Sequence, residues 1–344
     1  MLYYTGLEEI IFNKHLILPE EPDELIIISG FLGPAPVDRV SKFEDLNITI
    51  VGGMYSNGID LRLLNSLNRS LKKNNRLNLY FSSKEIHSKI YIWKKGGKTL
   101  GALIGSANFS SNGLRTDYRE SLADATRDTF SELDRYVDFI IKNSTKTPVT
   151  NKKQQRIEYV SKDANLIKSS DFKITAEIPL YDSKSLDVPL YSGLNWGRSR
   201  LNGSHTAEGD AYIRIPKSII IENEGLILPF DPTFITPQGK RKRNSNPIEI
   251  IWDDGYIMEA SLEGIQKYKG AQYPKQIASY SSKIPMLNGK KISKKSILGR
   301  YLRRRLGIDI DDVINKDLLN NYGRDTITLS LIEEGIYYAD FSVK

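Results

Sequence analysis

The sequence predicts an α/β domain with a mixed sheet flanked by helices, followed by a mainly-β domain. Two continuous apolar runs that end in glycines, 25–33 and 47–53, read as strands buried on both faces. Helix-like segments at 36–43 and 60–73 follow them, and strands that alternate with helices are typical of an α/β sheet. From 172 onward the apolar runs are shorter and separated by Gly, Pro, Asn and Asp, which favours a barrel or a sandwich.

The remaining elements of the first 150 residues follow from the same patterns. The helix at 60–73 places leucines 61, 64, 67 and 71 at helical spacing. Further strands are predicted at 76–82, 87–95, 99–104 and 120–125, with a hairpin turn at 94–97. A helix at 128–142 would turn Phe130, Leu133, Val137 and Ile141 inward. These elements define a first domain over 1–150.

A polar segment at 151–175 is interpreted as a linker, and 176–344 as the second domain. Its strand-like runs are 174–181, 211–216, 218–222, 225–230, 248–252, 256–261, 325–332 and 335–343. Two helices are predicted near the end of the chain, at 295–306 and 311–320.

Composition narrows the class of protein. The chain of 344 residues suits two domains, and 40% hydrophobic residues allow each a core. The absence of Cys excludes disulfides and thiolate metal sites, and three His residues argue against a His-rich metal site. With no apolar run that could cross a bilayer and no signal-peptide pattern, we expect a cytoplasmic protein.

The net charge of +7 is unevenly spread. Residues 1–150 hold 19 Lys and Arg against 18 Asp and Glu, whereas 151–344 hold 30 against 24. A basic C-terminal half suggests a polyanion partner, with nucleic acid as the first candidate. An excess of this size also occurs in ordinary soluble domains, so charge alone leaves both interpretations open.

The most informative stretch is His87-Ser88-Lys89, in the segment HSKIYIWKK, where polar and apolar residues alternate. This pattern predicts a half-buried strand, on which His87 and Lys89 project from one face while Ser88 and Ile90 project from the other. An imidazole beside an ammonium suits a phosphate, because one can attack phosphorus while the other holds its oxygens. The next strand runs into GSANFS (105–110), which brings hydroxyls and an amide to the same end.

The succession of H-x-K at 87–89 and G-S-x-N at 105–108 resembles the phospholipase D superfamily. Order and spacing are most similar to its restriction endonucleases of the NgoFVII/NgoAVII type, which are related to BfiI. Those enzymes carry an acidic residue at the spacing of Glu120, which stands 12 positions after Asn108 (120 − 108). The fuller motif of the superfamily has an Asp where this chain has Lys94. Taken singly, the His of H-x-K could be a structural or surface residue of a strand, and G-S-x-N could be a common loop.

The resemblance implies a phospholipase D-like nuclease domain with six catalytic positions: His87, Lys89, Ser106, Asn108, Ser110 and Glu120. The His would attack phosphorus and form a phosphohistidine. The Lys and the Asn, with one of the two Ser residues, would stabilise the phosphoryl oxygens, and the Glu would orient the nucleophile. A second His must protonate the leaving oxygen, and the chain has one H-x-K. We therefore expect a homodimer through the N-terminal domain, with no metal or other cofactor in this chain.

The C-terminal half carries a second resemblance, in the segments 192–198 (SGLNWGR), 211–216 (AYIRIP), 253–255 (DDG) and 298–307 (LGRYLRRRLG). They are similar to the specificity domain of NgoFVII-type enzymes, a pseudobarrel like that of plant B-three transcription factors, which grips the major groove of DNA between two arms. By position, 195–204 would belong to the N-terminal arm and 266–273 to the C-terminal arm.

The residues expected to contact DNA are Asn195, Trp196, Arg198, Arg200, Asn202, Lys240, Arg241, Lys242, Arg243, Gln266, Lys269 and Gln272. Arg reads guanine and Asn reads adenine, so the alternating 198, 200 and 202 offer both, in a loop kept flexible by Gly197 and Gly203. The basic segment 240–243 suits phosphates or is a solvated turn. Trp196 is either a core residue or a base contact, and the Arg300–Arg305 cluster is interpreted as an exposed helix face.

The resemblances together imply a sequence-specific double-stranded DNA endonuclease of a restriction system. Some related enzymes are cleavage subunits of helicase-coupled systems, which would make a separate ATPase and a cognate methyltransferase partners. The sequence has no phosphate-cradling Gly-rich loop, so ATP would act only through such a partner. Two rivals remain: a DNA-binding regulator with an inactive nuclease half, and a phospholipid phosphodiesterase. The intact motif argues against the first, and the single H-x-K without a membrane-binding surface argues against the second.

Overall fold

The computed structural model describes residues 1–150, 174–233 and 245–343. By its internal contacts the chain divides into two units, Met1–Asp171 and Phe172–Lys344. Most of the predicted linker and all of the basic segment 240–243 lie outside the described residues.

The first unit is built on a mixed sheet, which in the described residues has eight strands. They are β1 Leu2–Tyr3, β2 Glu24–Ser29, β3 Asn47–Gly52, β4 Leu77–Ser82, β5 Lys89–Lys95, β6 Lys98–Gly105, β7 Leu122–Asp124 and β8 Ser144–Thr145. Across the sheet the order is β1-β7-β6-β5-β2-β3-β4-β8. The strands β2, β3 and β4 are parallel, while β5 is antiparallel to both β2 and β6.

Helices cover this sheet, as the sequence predicts. They are α1 Leu7–Asn13, α2 Pro34–Val40, α3 Leu61–Leu71, α4 Ser111–Leu114 and α5 Phe130–Lys142, with short 3-10 helices at Lys14–Ile17 and Arg127–Thr129. The buried side of α5, formed by Leu133, Val137 and Ile140, packs in one cluster with Ile28 and Ile92 of the sheet. Burial of this apolar stripe holds α5 against the two central strands.

The buried face of α3 differs from the predicted one. Leu63, Leu64 and Leu67 are buried, whereas Leu61 is 53% exposed. The helix begins after Asp60, whose carboxylate accepts a hydrogen bond of 2.7 Å from the backbone N–H of Arg62. Leu61 therefore occupies the first turn, where the cap sets the direction of the chain and turns this side chain towards solvent.

The strand that carries the H-x-K motif is not half-buried, and this prediction is wrong. It begins at Lys89, and every residue from Lys89 to Lys94 is buried, because β5 lies inside the sheet between β2 and β6. Its Ile90 and Ile92 belong to the apolar cluster under α5. The hairpin to β6 turns at Gly96 and Gly97, whose φ values of 53° and 77° require the left-handed region.

The second unit has a nearly barrel-shaped sheet, which confirms the predicted mainly-β pseudobarrel. Its described strands are β9 Thr175–Pro179, β10 Tyr212–Arg214, β11 Ser245–Trp252, β12 Ile257–Glu263, β13 Gln266–Tyr268, β14 Ala271–Tyr273, β15 Gln276–Ser279, β16 Met286–Leu287, β17 Lys290–Lys291, β18 Thr326–Glu333 and β19 Ile336–Asp340. The sheet order is β10-β15-β12-β11-β19-β18-β9, and β13–β14 and β16–β17 form separate hairpins. All its pairs are antiparallel except β11 with β19.

Two segments of this unit that are predicted to be strands have a different structure. Residues 218–222 belong to the helix α6 Lys217–Glu222, and 225–230 form turns and coil. Pro216 is the residue before α6, and Ile219 and Ile220 are buried on its inner side. Packing of these side chains outweighs the strand propensity of three successive Ile residues. The other helices are α7 Ser296–Leu306 and α8 Lys316–Tyr322, of which α8 begins later than predicted because Asn315 caps it.

Candidate active site

Three of the predicted catalytic side chains meet at Gly30, the residue that follows β2. A methyl group built on Gly30 would lie 3.2 Å from Asn108 Oδ1, 3.2 Å from His87 Cδ2 and 3.4 Å from Lys89 Nζ. The His, the Lys and the Asn come from two segments separated by the hairpin of β5 and β6. The sheet therefore brings the H-x-K and G-S-x-N motifs together, around a backbone position that has no side chain.

His87 lies in the loop before β5 rather than on the strand, so it does not share a strand face with Lys89 as predicted. The preceding residue anchors this loop, since Ile86 N–H donates to the carbonyl of Gly53 at 2.9 Å. The imidazole is exposed, and its ring meets the edge of Phe31 at 6.4 Å between centroids and 79° between planes. A ring held on one side and open on the other is accessible to an incoming phosphate.

Lys89 forms the floor of this site, with 3% of its surface exposed. Its ammonium donates a hydrogen bond of 2.6 Å to the carbonyl oxygen of His87. Burial lowers the pKa of Lys89, and the negative charge of Glu120 opposes that shift. The Glu is thus electrostatically coupled to the lysine of the motif.

Asn108 is held by the end of β2. Its Oδ1 accepts a hydrogen bond of 3.2 Å from the backbone N–H of Phe31. Ser29 fixes the same corner, because its hydroxyl donates to the carbonyl of Phe31 at 2.6 Å and accepts from the N–H of Phe109 at 2.9 Å. With its oxygen engaged by the protein, Asn108 has its amide N–H groups as the donors that can serve a phosphate.

The two predicted serines differ. Ser106 is exposed, and its hydroxyl accepts from the N–H of Ser121 at 3.1 Å. Ser110 is buried and caps α4, accepting from the N–H of Gly113 at 3.2 Å. The Ser110 hydroxyl thus stabilises the start of a helix, and its predicted contact with a phosphate stays a prediction.

Sequence reasoning missed Gly30, Ser29 and Phe31, which shape the site without reacting. The available signal was the apolar run that ends in Ser29-Gly30-Phe31, since polar and small residues at the end of a parallel strand line ligand sites in α/β sheets. It also missed Tyr136 of α5, whose hydroxyl lies 2.8 Å from that of Ser88, inside the H-x-K motif.

The predicted N-terminal arm consists of 3-10 helical turns over Gly193–Asn202 with a kink at Asn195, where the sequence predicts an irregular loop. Gly197 is needed for close packing: a Cβ there would lie 2.6 Å from the carbonyl oxygen of Ala207. Gly203 ends the helix with a φ of 80°, which favours glycine. The arm therefore presents its side chains from a defined backbone.

Asn195 is fully buried, which contradicts its predicted contact with DNA. Its oxygen accepts from the N–H of Ile314 at 3.0 Å and from Arg303 Nη2 at 3.3 Å, and its amide donates to the carbonyl of Ile314 at 2.7 Å. Trp196 is half-buried, with its ring 5.6 Å from that of Tyr212 at 72°. Asn195 therefore joins the arm to the rest of the domain, and the Trp196 ring packs against Tyr212.

The remaining arm residues are accessible. Asn202 is exposed, while Arg198 and Arg200 are partly exposed. Arg198 Nη1 donates to the backbone carbonyl of Asp311 at 2.8 Å, and Arg200 Nη2 donates to Asp311 Oδ1 at 3.1 Å. Both arginines are thus engaged by one aspartate.

The predicted C-terminal arm is the hairpin β13–β14. Lys269 is exposed at its turn with a φ of 45°, and its ammonium lies 5.2 Å from the centre of the Tyr268 ring. Gln272 is partly exposed on β14. Gln266 Nε2 instead donates to the carbonyls of Ile215 at 3.0 Å and Pro274 at 2.8 Å, so this side chain fixes the root of the hairpin.

The Arg300–Arg305 cluster is not simply an exposed helix face. Arg303 is 3% exposed, and burial lowers its pKa. Arg305 forms a two-bonded pair with Asp253, with N–O distances of 3.0 and 2.8 Å. The sequence resemblance in this helix therefore includes residues that hold the fold together. No helix in the described part of the chain is long and apolar enough to cross a membrane.

Three solved structures that are similar to this chain each cover less than half of it. NucT from Helicobacter pylori is 16% identical with a TM-score of 0.32, over 42% of this chain and 96% of NucT. Polyphosphate kinase from Porphyromonas gingivalis is 14% identical with a TM-score of 0.24, over 39% and 20% of the two chains. A mutant of yeast tyrosyl-DNA phosphodiesterase is 20% identical with a TM-score of 0.24, over 37% and 30%.

Family models match both halves of the sequence. Residues 5–158 match the N-terminal phospholipase D (PLD) domain of NgoFVII restriction endonuclease, and residues 166–333 match its C-terminal B3-like DNA-binding domain. No curated protein matches the chain significantly. The two matched regions span most of the sequence and contain the H-x-K site and the pseudobarrel respectively. The chain therefore belongs to the NgoFVII family of restriction endonucleases, with a phospholipase D-type nuclease domain followed by a B3-like DNA-binding domain.

Proposed function

We propose that this endonuclease hydrolyses DNA without a metal ion, through a phosphohistidine formed on His87. The observation that carries the proposal is the convergence of His87, Lys89 and Asn108 on Gly30, within 3.4 Å of one methyl-sized position. An exposed imidazole supplies a nucleophile, and an ammonium and an amide supply donors for the oxygens of a phosphate.

The reaction would proceed in two displacements. A ring nitrogen of His87 attacks phosphorus, the bond from phosphorus to the leaving oxygen breaks, and a second imidazole gives that oxygen a proton. Water then attacks the phosphohistidine and loses a proton to the second imidazole, and the P–N bond breaks. Both imidazoles return to their starting state, and division into two steps lowers the barrier of each.

The charges around His87 support a mechanism without metal. The buried ammonium of Lys89 lies at the floor of the site and supplies positive charge there. In a metal-dependent nuclease, metal ions held by several carboxylates supply that positive charge. Among the described residues, no group of three or more His, Asp or Glu side chains is arranged to hold a metal ion. Glu120 contributes a single carboxylate, which acts on Lys89.

The second imidazole is proposed to come from a second copy of the chain. His15 packs edge-on against Phe43, with centroids 5.7 Å apart, and neither His15 nor His205 is followed by Lys two positions on. A two-fold axis through the site would place two His87 side chains on opposite sides of one phosphate. The proposed active form is therefore a homodimer with one shared catalytic centre.

The C-terminal unit is proposed to select the DNA sequence. The arm side chains 198, 200 and 202 stand on a defined backbone, and the hairpin β13–β14 presents Lys269 and Gln272. Bidentate donors read base edges, while ammonium groups position the phosphates. A helicase-type ATPase and a cognate methyltransferase are proposed as separate partners, with ATP bound by the ATPase.

A plasmid cleavage assay in EDTA tests the chemistry. We expect wild-type protein to cleave in EDTA, and His87→Ala to bind the same plasmid without cutting it. A short reaction on labelled DNA, quenched under alkaline conditions that preserve phosphohistidine, should leave label on the protein only when His87 is present. Cleavage that requires added magnesium with purified ATPase absent, or label retained by His87→Ala, would contradict the mechanism.

A further inference from the structure

Four arginine side chains lie in one cluster of the C-terminal unit, where the 3-10 helix Gly193–Asn202 meets α7: Arg198, Arg200, Arg300 and Arg303. Burial and then the positive charge of Arg198 lower the pKa of Arg303, Asp312 and Asp311 oppose that shift, and Arg300 lowers the pKa by a smaller effect. The guanidinium groups are thus close enough to repel one another. Such a cluster requires anions, either from the protein itself or from a ligand.

Glu208 lies between two of these arginines. One of its oxygens, Oε2, is 2.7 Å from Arg300 Nη2, and the other, Oε1, is 4.0 Å from Arg200 Nη2. Asp311 also pairs with Arg200, with Oδ1 at 3.1 Å from the same Nη2 atom. A carboxylate whose oxygens face two guanidinium groups occupies the position that a phosphate takes between paired arginines.

The acids are more exposed than the arginines they hold. The side chains of Glu208 and Asp311 are 44% and 73% exposed, against 22% for Arg300 and 32% for Arg200. Exposed ion pairs contribute little stability, so these carboxylates can be displaced into water at small cost. The buried Nε atoms of Arg198 and Arg300 have no hydrogen-bond partner, so a shift of either guanidinium towards another acceptor would relieve an unsatisfied donor.

We propose that Arg200 and Arg300 form a binding site for a phosphate of the DNA backbone, so that base reading in the arm falls to Arg198 and Asn202, and that Glu208 occupies this phosphate site when DNA is absent. The inference rests on the proposed role of the arm 195–204 in contacting DNA. Every duplex that places a phosphate between these arginines must displace Glu208, so this carboxylate weakens specific and random duplex binding by the same factor. Glu208 therefore lowers the affinity of the domain for DNA as a competing anion and leaves the ratio of specific to non-specific binding unchanged.

The test measures duplex binding by full-length protein in a His87→Ala background, so that DNA is not cut. The probes are a short random-sequence duplex and a duplex containing the site mapped by plasmid cleavage. Glu208→Gln should tighten binding of both duplexes about fourfold, the factor that corresponds to the repulsion of two charges about 5 Å apart in water. Glu334→Gln, which removes the same charge from the exposed turn between β18 and β19, is the control and should change neither.

The arginine variants separate this inference from the function on which it rests. Arg300→Ala should weaken the binding of both duplexes and lower the number of counterions released on binding by about one, measured from the salt dependence of the affinity. Arg300→Lys keeps the positive charge and should leave that number unchanged. Unchanged random-duplex binding in Glu208→Gln, with normal thermal unfolding, would overturn the role of Glu208. Unchanged binding in both Arg200→Ala and Arg300→Ala would overturn the phosphate site, whereas unchanged specific binding in Arg198→Ala and Asn202→Ala would show that the arm does not read DNA.

Discussion

Lys89 directs its ammonium back to the residue two positions before it, with Nζ 2.6 Å from the carbonyl oxygen of His87. The last residue of the H-x-K motif therefore holds the backbone of the first residue in place. Lys89 is buried at the start of β5, whereas His87 is exposed in the preceding loop. The lysine thus positions the main chain of His87, the proposed nucleophile, as well as placing a positive charge beside it.

Gly30→Ala should lower the rate of cleavage sharply while leaving the fold intact. The added methyl would lie 3.2 Å from His87 Cδ2 and 3.4 Å from Lys89 Nζ, tighter than most Cβ contacts, so these side chains would have to shift from their positions. A displacement of about 1 Å can cost about a hundredfold in rate. Gly101→Ala in β6 is the matched control, because its methyl meets only the flexible end of Leu18. Equal cleavage by both variants would remove Gly30 from the site.

Glu120→Gln should move the alkaline limit of cleavage to lower pH. Burial lowers the pKa of Lys89, and Glu120 partly opposes this, so removal of its charge lowers that pKa further. The ammonium then loses its proton at a lower pH, and activity that depends on the cation falls earlier as pH rises. Rates measured across alkaline pH for both proteins give the shift. Lys89→Arg, whose guanidinium stays charged, should show no such limit if it retains activity.

Mixed dimers test the shared centre. Each mixed dimer of wild type and His87→Ala would hold one of the two imidazoles and should be inactive. Equal mixing with full exchange should leave roughly a quarter of the activity, from random pairing under two-fold symmetry. Retention of about half would mean that each chain carries an independent site, and so would cleavage by monomer at dilutions where no dimer survives.

Three substitutions in the arm should separate its structural residues from its DNA contacts. Asn195→Ala removes a buried side chain that bonds Ile314 and Arg303, and should lower the free energy of unfolding by about 2–4 kcal/mol. Asn202→Ala should leave stability unchanged but weaken specific DNA binding. Arg198→Ala should cost about 1–3 kcal/mol of binding and relax one base position. Thermal unfolding and binding to randomised duplexes measure the two effects.

The contrast between Asn195 and Asn202 shows where pattern reading stops. Both are asparagines in one short segment, and nothing local distinguishes the exposed Asn202, a proposed base reader, from the buried Asn195. The distinction arises because Ile314, more than a hundred residues later, offers an N–H and a carbonyl to the first of them. Ser110 is similar, since its role as a helix cap depends on where α4 begins.

The sequence by itself determined the two-part organisation, the α/β and mainly-β classes and the motif residues His87, Lys89 and Asn108. These depend on local periodicity and on short spacings within one hairpin, which the chain order preserves. Only the tertiary structure decided that Gly30 forms the centre of the site and that Glu208 and Asp311 hold the arginines of the arm. Contacts between segments distant in sequence depend on how strands and helices pack, and no local pattern records which backbone will approach which side chain.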